Sequence, residues 1–173
     1  MQRWGVLLLT VCALGAAACG DDDNGPAPSN QPLVFTATLS AANEVPPITN
    51  AESAATGDAT ITITPTRDAN NAITGGAVTM AFNMRNLPPT SSITLAHIHT
   101  GASGVNGGVL VNTNLSPATA IATPAGSASF ERSGLTADAA TINSIVANPA
   151  GFYFNVHTAL NPGGVARGQL RAQ

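Results

Sequence analysis

Val78-Thr79-Met80-Ala81-Phe82-Asn83-Met84 alternates large apolar side chains with small or polar ones, and that alternation decides the fold. Strand side chains point to opposite faces with a period of two, so Val78, Met80, Phe82 and Met84 form one apolar face. The same period recurs in Phe35, Ala37 and Leu39 and in Ala59, Ile61 and Ile63. These are half-buried antiparallel strands. Further strands are expected over 93–99, 108–112, 127–132, 151–158 and 165–171, with turns marked by Gly, Pro and Asn. Asn70-Asn71 and Gly75-Gly76 punctuate the second and third strands.

Between residues 136 and 148 the period changes. Ile142, Ile145 and Val146 follow a helix face, Thr136 can cap its start, and Asn148-Pro149 ends it. Seven or eight strands and one short helix predict an all-β fold, an antiparallel Greek-key β-sandwich of immunoglobulin-like or superoxide-dismutase-like type.

Composition narrows the function. Charged residues are 9% and hydrophobic residues 44% of the chain, which argues against disorder driven by charge. A net charge of −3 and a pI near 5.4 leave no electrostatic footprint for nucleic acid. A length of 173 residues suits one domain once any export signal is removed.

Residues 1–18 read as such a signal: Arg3, an apolar run from Trp4 to Leu14 too short for a permanent span, then Gly15-Ala16-Ala17-Ala18-Cys19. Small residues before a cysteine are similar to the bacterial lipobox, in which the cysteine becomes the lipidated first residue. Ala16 stands where that motif usually carries Leu. Residues 19–32, with the run GDDDNGPAPSNQP after Cys19, form a polar flexible tether, and residues 33–173 the folded domain. The expected location is therefore the cell envelope, lipid-anchored to the outer membrane because Gly20 rather than Asp follows Cys19; a secreted protein results if the lipobox is unused. With Cys12 lost and Cys19 lipidated, the domain has no thiol for a disulfide, nucleophile or metal.

All three histidines lie in Ala96-His97-Ile98-His99 and Tyr153-Phe154-Asn155-Val156-His157-Thr158. On a strand His97 and His99 share one face, about 7 Å apart along it, together with Ile93 and Leu95. With His157 they could hold Cu²⁺ or Zn²⁺ with an open water position. The alternative is structural: His97 or His99 bonds to carbonyls of the 101–108 turn, while His157 fixes the loop before Asn161.

Phe35-Thr36-Ala37-Thr38-Leu39-Ser40-Ala41-Ala42-Asn43-Glu44-Val45-Pro46-Pro47, the Ala96–His99 segment, Asn106-Gly107-Gly108, the Tyr153–Thr158 segment and Asn161-Pro162-Gly163-Gly164-Val165-Ala166-Arg167-Gly168-Gln169-Leu170 together resemble the CHRD (chordin) domain. The resemblance spans residues 33–171 in the family's order. It implies an extracellular β-rich module, found in an animal antagonist of bone morphogenetic proteins and in bacterial exported proteins, and it implies no activity. The family often has an acidic residue where Val165 stands, so Arg167 lacks that neighbour here.

Glu44 and Arg167 are expected to meet as a structural pair, since an unpaired buried charge costs several kcal/mol; the alternative is that both are solvated. The turn GASGVNGG at 101–108 lacks the Lys-Ser/Thr ending of a phosphate loop. No Gly-x-Ser-x-Gly occurs, and six acidic residues after Leu33 make a hydrolase a poor fit. A faint likeness to copper-zinc superoxide dismutase, through His-x-His and a Gly-rich arginine segment, lacks the bridging histidine and the disulfide. The sequence thus favours a non-catalytic binding or structural module with a protein or polymer partner. A small metalloprotein or oxidoreductase using the three histidines is the alternative.

Overall fold

The computed structural model describes residue 1 and residues 29–173. Cys19, the signal segment and most of the tether lie outside the described residues. No described helix is long and apolar enough to cross a membrane.

Ten strands and one α-helix make up the domain. The strands are β1 (Leu33–Ser40), β2 (Thr56–Arg67), β3 (Ile73–Arg85), β4 (Ser92–Thr100), β5 (Val109–Asn112), β6 (Ile121–Ala122), β7 (Ala128–Asp138), β8 (Phe152–Thr158), β9 (Ala166–Gln169) and β10 (Arg171–Ala172), with α1 (Ala139–Ala147) between β7 and β8. All pairings are antiparallel, in the order β5-β4-β8-β9-β1-β2-β3-β7; β10 adds to β1 and β6 to β4. The all-β class with a single helix is as the sequence predicts. In place of two stacked sheets, however, one hydrogen-bonded sheet curls on itself.

The curl follows from the core. Phe82 of β3 and Phe154 of β8 have ring centroids 6.0 Å apart. Four strand spacings separate β3 from β8, about 19 Å if the sheet were flat, so the sheet must bend until its apolar face meets itself. Phe35, Leu39, Ile61, Val78, Met80, Ile98 and Val156 fill the enclosed space. The edge strands β5 and β7 face one another across a cleft lined by Val111, Asn112, Leu135 and Thr136, which makes the sheet barrel-like and nearly closed.

Several boundaries differ from those expected. The strand expected over 127–132 runs on to Asp138 as β7. The pairing with β3 shifts between Val78 and Met80, and Gly134 supplies φ 72° at that bulge. The helix consequently starts later, capped by the Asp138 carboxylate accepting from Thr141 N (2.7 Å), not by Thr136. Its buried residues are Ile142 and Ile145, while Val146 is exposed. Gly75 and Gly76 lie within β3, paired to Asp138 and Ala137. The expected last strand breaks at the buried Leu170 into β9 and β10.

In β4 a register shift lies between Ile93 and Leu95. It turns Ile93 inward with Ala96 and Ile98, whereas His97 and His99 project from the outer face. Ile93 therefore does not share the histidine face.

Truncating Phe82, which stacks on Phe130 at 5.4 Å and reaches Phe154, removes the contact that joins the two walls. Phe82→Ala is expected to lower unfolding free energy by about 3–5 kcal/mol, read from urea denaturation; a loss under 1 kcal/mol would contradict this view of the core.

Candidate functional site

The outer face of β4, β8 and β9 carries polar side chains in adjoining rows. His97 pairs with Asn155 and Asn155 with Arg167; His99 pairs with Tyr153 and Tyr153 with Gln169; His157 lies opposite Leu95. A face of this kind normally meets water. Here His97, His99, Tyr153, Asn155, His157 and Arg167 are all buried, because three loops lie over them: residues 43–50, 101–108 and 160–164.

The histidines converge. Each offers one ring nitrogen such that all three lie within 4.8 Å of one another. Ring centroids are 5.0 Å apart for His97–His157, 5.5 Å for His97–His99 and 6.0 Å for His99–His157.

Backbone carbonyls fix their tautomers. A carbonyl can only accept, so His157 Nδ1 donates to Pro162 O (2.9 Å) and His99 Nδ1 to Gly107 O (3.1 Å). The Nε2 atoms of both rings are left as lone pairs. The His157 lone pair accepts from His97 Nδ1 (3.2 Å), while His99 Nε2 is buried with no partner. Burial, then the neighbouring charges of His157 and His99, push His97 down to about 4. Burial also lowers His99 and His157, against the opposing carbonyl bonds from Gly107 and Pro162. All three rings are therefore neutral near pH 7, the form that binds metal. Carbonyl anchoring and convergence, posed as alternatives by the sequence, coexist because each ring has two nitrogens.

The expected Glu44–Arg167 ion pair is not formed. Both are buried, and Arg167 acts on the Glu44 carboxyl electrostatically. Contact is missing because the guanidinium is engaged elsewhere: Nε donates to Asn43 O (2.7 Å), Nη1 donates to Asn106 Oδ1 (2.7 Å), and Cζ lies 4.6 Å from the Tyr153 ring centroid. Arg167 thereby ties two covering loops to β9. Tyr153 stacks on His99 at 4.9 Å and 7°. Arg167 Nη2, Glu44 Oε1 and Asn155 Oδ1 are left buried and unpartnered.

Glu52 is the residue that sequence reasoning missed. Fully buried, its carboxylate accepts from Ser91 Oγ, Thr158 Oγ1 and Asn161 Nδ2, each at 2.5 Å. Asn50 and Asn161 exchange amide hydrogen bonds beside it. This network fixes the turn that presents Pro162 O to His157. Its only signal is an acidic residue in the small-residue stretch Asn50-Ala51-Glu52-Ser53-Ala54 of a chain poor in charge.

Residues 35–170 match the family model described as CHRD domain. No curated protein and no solved structure matches the chain.

Burial raises the Glu44 carboxyl to about 7 against the opposing pull of Arg167. A raised folded-state value means that the protonated form is favoured by folding, so the associated stability is present below the usual carboxylate range and lost as pH rises through about 7. Glu44→Gln, which cannot ionise, should match the wild type near pH 5 and exceed it in urea midpoint above pH 7. A gap that does not change between the two pH values would contradict the assignment.

Proposed function

The chain belongs to the CHRD-domain family, and on that premise we propose that it is an exported, lipid-anchored module of the cell envelope, acting by binding rather than catalysis, in which His97, His99 and His157 hold one Cu²⁺ or Zn²⁺ ion. The observation that carries the metal reading is the His99 Nε2 lone pair, buried without a partner on a ring that converges with two further imidazoles. A purely structural histidine has no reason to leave that nitrogen unsatisfied.

Three features support the fit. First, the 3.2 Å hydrogen bond between His97 Nδ1 and His157 Nε2 has the length of the edge of a tetrahedron with metal–nitrogen bonds of about 2.0–2.1 Å, roughly 3.3 Å, so that moving the shared proton to His97 Nε2 frees both nitrogens at a usable spacing. Second, ligating histidines commonly donate their other N–H to a carbonyl, as His99 and His157 do. Third, neutral nitrogen donors without a thiolate suit Cu²⁺ and Zn²⁺ rather than Mg²⁺ or Ca²⁺. Three protein ligands leave one position for water or a group supplied by a partner.

The anchoring reading rests on the sequence around Cys19, and its partner on the protein side is a protein or polymer of the envelope. Tag-free protein is expected to bind one equivalent of Cu²⁺ or Zn²⁺, with the melting temperature rising by roughly 5–10 °C at saturating metal. His99→Ala should abolish that rise. Neither metal shifting the wild type would end the metal proposal. Independently, Cys19→Ala should move the protein from the membrane fraction to the soluble fraction; an unchanged distribution would end the anchoring proposal.

A further inference from the structure

A cleft of about 320 Å³ opens between the loops at 44–50 and 160–164, beside the histidine cluster and separate from it. Pro46, Pro47, Ile48, Leu160 and Pro162 form an apolar wall, with Thr49, Asn50 and Asn161 making up its polar part. Among its lining residues the only charged side chain is Glu44, which is 6% exposed and has a carboxylate oxygen, Oε1, without a hydrogen-bond partner. The opposite loop comes down on this carboxylate through Gly164, where a Cβ would lie 2.8 and 2.9 Å from the two carboxylate oxygens. Only backbone covers the group from that side, and at φ 132° a side chain would be strained there in any case.

An ionised carboxylate beside an apolar wall, lacking a contact cation, is an incomplete arrangement. Arg167 does not complete it, being held by Asn43, Asn106 and Tyr153. The chain contains no lysine. We infer that this cleft is a second binding site, which takes an alkylammonium group on a short aliphatic stem, its N–H groups donated to Glu44 and its stem lying against the prolines and Leu160. A metal cation is disfavoured because the cleft supplies one carboxylate and its two amides, Asn50 and Asn161, are bonded to each other and to Glu52. An anion is disfavoured because no cationic side chain lines the cleft. The ammonium group comes either from a free amine or from a lysine of a partner protein.

The test is an NMR titration of the full chain at pH 8 with n-butylammonium chloride and, separately, with n-butanol, followed at the amides of Leu160 and Gly164. The cation should bind in the millimolar range or tighter and the alcohol without measurable saturation. Glu44→Gln should weaken the cation by about tenfold or more, the loss expected for a charged hydrogen bond. Leu160→Arg, a change at a residue 55% exposed that leaves Glu44 in place, should weaken it as well by placing a competing cation at the mouth. A lysine-containing peptide that binds more tightly than butylammonium, and loses that affinity on Nζ-acetylation, assigns a protein source; equal affinity of lysine peptide and butylammonium assigns a free amine. The proposal is overturned if the wild type shows no saturable shifts with the cation, if cation and alcohol bind alike, or if Glu44→Gln binds as the wild type does. The last two outcomes would mean that the carboxylate is satisfied by water.

Discussion

The register of β4 against β8 is the constraint on which the remainder of the structure depends. Ile98 opposite Phe154 and Ala96 opposite Val156 face the core, while His97 opposite Asn155 and His99 opposite Tyr153 face outward. A slip by one residue would exchange the two sets, placing imidazoles among Phe82 and Met80 and isoleucine under the loops. The apolar face therefore specifies where the polar face sits. The shift at Ile93–Leu95 is part of the same solution, because it lets Ile93 point inward without moving His97 or His99 out of line.

A polar outer face needs a second layer to become a site, and the loops supply it through few contacts. Glu52 gathers donors from three separate segments at Ser91, Thr158 and Asn161; Arg167 gathers acceptors from the loops at Asn43 and Asn106. Asn106 Nδ2 also donates to Val45 O (2.8 Å), joining the two covering loops directly. Each network ends on a backbone carbonyl or a ring that orients a histidine: Pro162 O for His157, and Tyr153 with Gly107 O for His99. Imidazole orientation is thus set by parts of the chain as distant as residues 52 and 167.

Much of the fold was legible because burial writes a period of two into strands: Phe35, Ile61, Met80 and Phe154 all lie in the core as alternation requires. The strand extents were less so. Ser133-Gly134 has the composition of a turn and the function of a bulge, and composition cannot distinguish chain reversal from one extra residue in a ladder. Whether antiparallel strands form two sheets or one curled sheet depends on pairing between β9 and β1, at Ser40 and Arg167, which no local pattern encodes. Of the site, the three histidines were legible as a group from their motifs. Glu52 was not, since its partners are hydroxyls and an amide scattered over the chain, and a search for opposite charges passes over it. The Glu44–Arg167 expectation shows the converse error: both side chains are buried near each other, yet guanidinium geometry is satisfied by carbonyl and amide oxygens, and burial alone does not dictate an ion pair.

The distribution of unsatisfied polar atoms bears on why this face is buried at all. Glu44 Oε1, His99 Nε2, Asn155 Oδ1 and Arg167 Nη2 are the buried side-chain polar atoms without partners among the described residues, and all four belong to the loop-covered outer face rather than to the core. Leaving such a group dry costs about 1–3 kcal/mol, more when charged. Were the face only a packing layer, apolar residues of similar shape would avoid that cost. The strand and loop networks instead satisfy nearly every other buried polar group nearby, including all of Glu52, so the fold is able to pair such atoms where it has only structure to maintain. Unsatisfied atoms confined to one region of an otherwise consistent structure are the pattern expected where binding supplies the missing partners. Two of the four point to chemically distinct ligands: the His99 lone pair to a transition metal, and the Glu44 carboxylate beside an apolar wall to an ammonium.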